Sequence, residues 1–219
     1  MLFNRLPKAV LWDMDGTLID SEPHWIRSER ELAAKHDAEW TEEDGKSLVG
    51  LSLDASSKIF IDKLGLNISS DEVTQALTTS VSEGLKQEII WRPGAKELLK
   101  ELKRKGVKTA LVTMSLRSMA LQVVEAIDFE AFDVVVAGDD VVYGKPNAEP
   151  YLKAAGLLGV DPKDCVAFED SISGILSAEA AGTKAVGIPN VMMIPAREDR
   201  ILWDTLEGKT LKDLRNLFK

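Results

Sequence analysis

The chain has 219 residues, with 36 acids against 27 bases, a formal charge of −9 and 45% hydrophobic residues. That composition belongs to a folded globular protein and excludes a disordered tail, a collagen and, with Cys165 as the one cysteine, a disulfide scaffold. The acid excess argues against nucleic-acid binding and against docking on an anionic membrane, which both use Lys/Arg contacts to phosphate.

Met1–Lys8 holds no long apolar run and no small-residue cleavage site, so a cytoplasmic location is the expectation. Lys8–Trp12 is a short apolar run ending in acids and predicts a buried strand. From Pro23 to about Glu88 no strand signal appears, and the spacing predicts helices over Trp25–Lys35, Asp54–Leu64 and Glu72–Lys86. Thr41–Asp44 and Ser69–Glu72 read as capping boxes. After Trp91-Arg92-Pro93-Gly94 the chain alternates. An amphipathic helix runs through Ala95, Leu98, Leu99 and Leu102. Strands at Lys108–Thr113, Asp133–Ala137, Asp164–Phe168 and Lys184–Ile188 follow, separated by helices at Ser115–Ala126, Glu149–Leu158 and Ser171–Ala181. Thr210–Leu217 is a last helix. No apolar run nears the roughly 18 residues of a membrane span.

Short strands alternating with helices predict an α/β protein with a Rossmann-like parallel sheet. The helical stretch after the first strand predicts an inserted, small all-helical domain. The expected division is a core of residues 1–20 and 91–219 with an insertion of residues 21–90.

In an open parallel sheet, ligands bind beyond the carboxyl ends of the strands. The residues there are Asp13-Met14-Asp15-Gly16-Thr17, Thr113-Met114-Ser115, Gly144-Lys145-Pro146 and Glu169-Asp170. Four acids meeting at one edge cannot stay ionised together without a cation. His24 and His36 are too few for a His-rich metal site, so oxygen ligands and Mg²⁺ are expected rather than Zn²⁺. Lys145 and the hydroxyl of Thr113 are candidates to hold a phosphate. No Walker-type loop and no GxGxxG is present, which excludes a P-loop NTPase and a nicotinamide enzyme.

The run Asp13–Ser21, with Thr113, Lys145 and Glu169-Asp170 in that order after strands, resembles the four signature motifs of the haloacid-dehalogenase superfamily. The helical insertion resembles its cap. The resemblance implies Asp13 as the nucleophile that takes up the phosphoryl group and Asp15 as the general acid and base. It implies Mg²⁺ held by Asp13, Asp15 through its carbonyl and Asp170, with Glu169 beside the ion or its waters. Thr113 and Met114 would bind the phosphoryl oxygens, and Lys145 would pair with Asp13 and the phosphate. His24, Trp25, Lys46, Ser47 and Ser52 are the candidates for specificity in the cap. The implied function is a Mg²⁺-dependent phosphatase, acting as a monomer on a small phosphate ester such as a sugar or polyol phosphate.

A β-phosphoglucomutase-like mutase and a phosphoglycolate-type phosphatase share every core motif and remain alternatives. A 2-haloacid dehalogenase needs no second acid, so Asp15 argues against it. Gly50-Leu51-Ser52 lacks the arginine that often follows this glycine in related sugar-phosphate enzymes, and Met114 stands where many relatives carry a small polar residue.

Overall fold

A computed structural model of the chain describes residues 5–218. Residues 1–4 and 219, at the two ends of the expected core, lie outside the described residues, as does half of Met1–Lys8. Six strands form one parallel sheet: β1 (Ala9–Trp12), β2 (Lys108–Val112), β3 (Val134–Val136), β4 (Cys165–Glu169), β5 (Lys184–Gly187) and β6 (Ile201–Leu202), in the order β3-β2-β1-β4-β5-β6. The chain builds outward from β1 to β3 and then crosses to β4 on the other side. The switch point therefore lies between β1 and β4, where Trp12 pairs with Phe168. The helices that follow β1 and β4 in the core, Ala95–Arg104 and Ile172–Ala180, pack on opposite faces of the sheet, so the connections part there and leave a crevice.

Side chains alternate across each strand, so each strand serves two cores. Val10 and Trp12 face a cluster with Leu98, Leu102, Leu111, Met119 and Phe168. Ala9 and Leu11 face a second cluster with Tyr151, Ala154, Cys165 and Ile175. Burial on both faces is why these strands read as unbroken apolar runs. The covering helices are α5 (Ala95–Arg104), α6 (Arg117–Glu125), α7 (Glu149–Leu158), α8 (Ile172–Ala180) and α9 (Leu211–Asn216).

Between β1 and α5 the chain forms only helices: α1 (Glu22–Ala34), α2 (Glu42–Leu48), α3 (Leu53–Leu64) and α4 (Ser70–Gln87). They share a third apolar cluster of Leu32, Ala33, Trp40, Leu48, Phe60, Val73 and Leu77. The two chain segments that connect this insertion run side by side, with Asp20 N–H donating to the Ile90 carbonyl at 2.7 Å and Arg92 N–H to that of Leu18 at 3.0 Å.

Two elements go beyond the sequence expectation. The Thr41/Asp44 capping box is present and starts α2, a seven-residue helix too short to show its period. The two-residue edge strand β6 gives no alternating pattern at all. No helix of the described residues is long and apolar enough to cross a membrane.

Candidate active site

Four strand ends bring the predicted residues together. Asp13 follows β1 directly, and its N–H donates to the Phe168 carbonyl at 3.1 Å, so the first loop is tied to β4. Thr113 follows β2, Lys145 lies on the loop after β3, and Glu169 is the last residue of β4. Asp13, Asp15, Thr113, Met114, Lys145 and Asp170 all line one cavity.

The centre of the arrangement is a buried cation among buried acids. Lys145 Nζ lies 2.6 Å from Asp13 Oδ1, 2.6 Å from Glu169 Oε1 and 2.9 Å from the Val112 carbonyl oxygen. Burial alone would lower its pKa, but the charges of Asp13 and Glu169 outweigh that and hold it above the ordinary lysine value. Tyr151 donates its hydroxyl to the same Glu169 oxygen. Asp13 Oδ2 and Glu169 Oε2 are buried and have no hydrogen-bond partner among the described residues.

Carboxylate oxygens of Asp13, Glu169 and Asp170 lie within 4.8 Å of one another, all buried. Burial first, and then the charge of Glu169, pushes the Asp13 carboxyl up to about 7. Burial followed by Asp13 and Glu169 raises Asp170 well above the ordinary range. One lysine does not neutralise three buried acids, and two oxygens are left without donors. That donor set fits a hard divalent cation held by oxygen ligands.

The backbone makes room for this cluster. Gly16 has φ +82°, and a Cβ there would overlap the Asp170 carboxylate. A Cβ at Gly174 would overlap the Glu169 carboxylate. Asp170 is free of structural duty, because Ser171 Oγ caps α8 by accepting from Gly174 N–H at 3.1 Å. Thr113 likewise does not cap α6, whose N-cap position is Leu116.

Asp15 is held differently. Its Oδ1 accepts from Ser21 Oγ at 2.6 Å, and its Oδ2 from Ser115 Oγ at 2.7 Å and Thr113 Oγ1 at 3.2 Å. Three hydroxyls thus aim this carboxylate, which is absent from the close trio of acids. Ser21 and Ser115 were not among the predicted site residues. Their signal was their place in the sequence: Ser21 ends the Asp13–Ser21 run, and Ser115 lies two residues past Thr113. Met114 lines the cavity, and its sulfur accepts the Lys145 N–H at 3.2 Å, which fastens the Lys145 loop to the end of β2.

The helical insertion closes the other side, and here the expectation needs correction. Of the five cap candidates, only Trp25 lines the cavity. His24 is buried against α4, donating Nε2–H to the Glu88 carbonyl at 3.0 Å and accepting from Arg27 at 3.3 Å. Lys46 pairs with Glu42 one helical turn away at 2.7 Å. Ser47 Oγ donates to the Asp44 carbonyl at 2.6 Å, and Ser52 caps α3. Each of these four satisfies a local polar need of its own helix or its neighbour.

The insertion's side of the cavity includes instead Glu22, Trp25 and Glu29 of α1 with Leu48 and Val49. Glu29 is 4% exposed, and its Oε2 accepts from Trp40 Nε1 at 2.9 Å. A readable signal existed, because Glu29 shares a helical stripe with Trp25, Leu32 and Ala33. An acid on a buried stripe calls for a reason.

A family model described as haloacid dehalogenase-like hydrolase matches residues 7–182. The chain is 32% identical over 180 residues to the phosphorylated carbohydrates phosphatase of Thermotoga maritima, covering 82% of this chain and 83% of that one. It is 30% identical over 184 residues to hexitol phosphatase B of Escherichia coli, covering 83% of each. The crystal structure of a mutant of CbbY from Rhodobacter sphaeroides with xylulose-1,5-bisphosphate superposes with a TM-score of 0.84 at 26% identity, covering 95% of this chain and 99% of that one. Fold, motif order and sequence agree, and the chain belongs to the haloacid dehalogenase-like hydrolase family.

Proposed function

We propose that the chain is a Mg²⁺-dependent phosphatase that hydrolyses a small phosphomonoester, a sugar or polyol phosphate, through an aspartyl phosphate on Asp13. The observation that carries this reading is the pairing of two unlike carboxylates on one cavity wall. Asp13 has one oxygen held by Lys145 and one without a donor, while Asp15, two residues on, is gripped by three hydroxyls. A nucleophile needs a free lone pair, whereas a general acid needs a fixed aim.

The chemistry follows in two steps. A carboxylate oxygen of Asp13 attacks phosphorus as the P–O bond to the alcohol breaks, and Asp15 gives its proton to the departing alkoxide. Water then attacks phosphorus and passes its proton to Asp15, which frees Asp13 and inorganic phosphate. Lys145 holds the Asp13 carboxylate in place and offsets charge gathering at the phosphoryl oxygens. In this reading Thr113 and the backbone around Met114 bind those oxygens. Asp13, Asp170 and the carbonyl of Asp15, with Glu169 beside them, would hold Mg²⁺, which supplies further charge neutralisation at the phosphoryl group.

In this reading residues 21–90 form a cap over a core of residues 1–20 and 91–219, and the cap excludes bulk water. Hydrolysis is favoured over a mutase because His24 is engaged with Glu88 and Arg27, and Trp25 takes its place at the cavity. The test is phosphate release across sugar, polyol, glycolate and nucleotide phosphates with the wild type and Asp13→Asn. The wild type should release phosphate and the variant should not. Turnover by Asp13→Asn near the wild-type rate would overturn the mechanism.

A further inference from the structure

The strand-end residues fix the phosphoryl end of the cavity, so the chemistry of its other wall must choose the alcohol. Lys145 is the one cation among the lining residues, and it stands at the phosphoryl end. The cap side offers Glu22 and Glu29, the Trp25 indole, Ser56 and Ser57, and aliphatic side chains. Glu22 lies within electrostatic reach of both Asp15 and Glu29, and burial together with those carboxyls pushes it up to about 8, so this side of the cavity is lined with carboxyl groups and offers no cation.

We propose that Glu29, clamped by Trp40 at the far end of this wall, is a specificity-determining residue. In this view it selects phosphomonoesters with an uncharged, polyhydroxylated carbon chain and rejects those carrying a second anionic group. The inference rests on the phosphatase reading and deepens it.

Three observations support it. Glu29 is almost wholly buried, yet lines the cavity. Trp40 occupies its Oε2, and no described residue donates to its Oε1, which is left to accept from a substrate hydroxyl. Gly45 also leaves room for it, because a Cβ there would crowd that same Oε2 and Ile26. Glu22 and Glu29 are seven residues apart on α1, about 10 Å along the axis at ~1.5 Å per residue. An extended chain of five or six carbons spans most of that length. Trp25 between them presents an apolar face for the C–H side of such a chain. Ionised, Glu29 repels a terminal carboxylate or phosphate; protonated, it still offers no positive charge.

The test compares kcat/KM for sorbitol 6-phosphate, 6-phosphogluconate and glycerol 1-phosphate, with p-nitrophenyl phosphate as a substrate that makes no polyol contacts. Wild type should prefer sorbitol 6-phosphate over 6-phosphogluconate, which has the same chain length but a terminal carboxylate. Glu29→Gln keeps an acceptor for Trp40 and should narrow that preference by about tenfold or more. Glu29→Ala should lose about ten- to a hundredfold on sorbitol 6-phosphate relative to glycerol 1-phosphate, the range for a hydrogen bond to a charged group. Equal use of the two six-carbon substrates by wild type, or an unchanged ratio in Glu29→Gln, overturns the proposal. No turnover of any ester, p-nitrophenyl phosphate included, overturns the phosphatase reading instead. Calorimetric binding of the two six-carbon ligands to Asp13→Asn then decides the selectivity separately.

Discussion

Replacing Glu29 by glutamine should stabilise the protein, and by more as pH rises. Burial pushes this carboxyl from 4.5 up to about 7, the Trp40 hydrogen bond pulls against that, and the charge of Asp44 adds to it. A carboxyl with a raised pKa holds its proton more tightly in the folded state than in the unfolded one. Its cost is therefore absent well below 4.5, grows between 4.5 and about 7, and is complete above that. The whole gap is worth about 3 kcal/mol. Integrated over pH, the cost is about 1 kcal/mol near pH 5.5 and about 3 kcal/mol near pH 8.5. Glutamine is uncharged at every pH and keeps an oxygen for Trp40 Nε1, now 2.9 Å away. In a chain of this length 1 kcal/mol moves Tm by about 2–4 °C. The variant should then melt about 6–12 °C above wild type near pH 8.5 and only about 2–4 °C above it near pH 5.5. Urea unfolding of the metal-free proteins across that range measures the same difference. A gain that does not change with pH, or a variant less stable than wild type near pH 8.5, refutes the reasoning. A more stable variant with poorer substrate selection would show stability given up for a binding site.

Lys145→Ala removes the cation between Asp13 and Glu169 and should cost about 10²–10³ in kcat. It should also cost about 3–5 kcal/mol of metal-free stability; kcat near wild type would contradict the role given to this lysine. Gly16→Ala places a methyl against Asp170 at a positive φ. It should weaken Mg²⁺ activation more than it lowers the melting temperature, and an unchanged Mg²⁺ titration would count against the assigned ligand. EDTA should stop turnover and Mg²⁺ restore it. Mg²⁺ at about a hundred times its Kd should add about 2.7 kcal/mol to stability by binding the folded form. Asp170→Asn should remove most of that gain, and activity surviving chelation would sink the metal assignment.

The core of the site was legible because its residues sit at fixed places along the chain. A strand followed by Asp13-Met14-Asp15-Gly16 announces an acid pair at a sheet edge, and Thr113, Lys145 and Glu169-Asp170 each follow a strand too. Parallel topology then forces those ends together, whatever the helices between them do. The cap was not legible in the same way. His24 and Lys46 looked like cap residues by type and position, but a half-turn around a helix decides whether a side chain meets a cavity or a neighbour. His24 turned toward Glu88, while Trp25 and Glu29 turned inward.

By itself the sequence determined the parallel α/β core, the helical insertion and the four strand-end motifs. Hydrophobic periodicity and chain order are local properties, readable one segment at a time. Only the tertiary structure decided which oxygens lack partners, that Lys145 bridges Asp13 and Glu169, and that three hydroxyls hold Asp15. It alone showed that the helical insertion presents acids and an indole to the cavity. Those are relations between residues up to 132 positions apart, such as Asp13 and Lys145. Their geometry is set by packing, which no local pattern encodes.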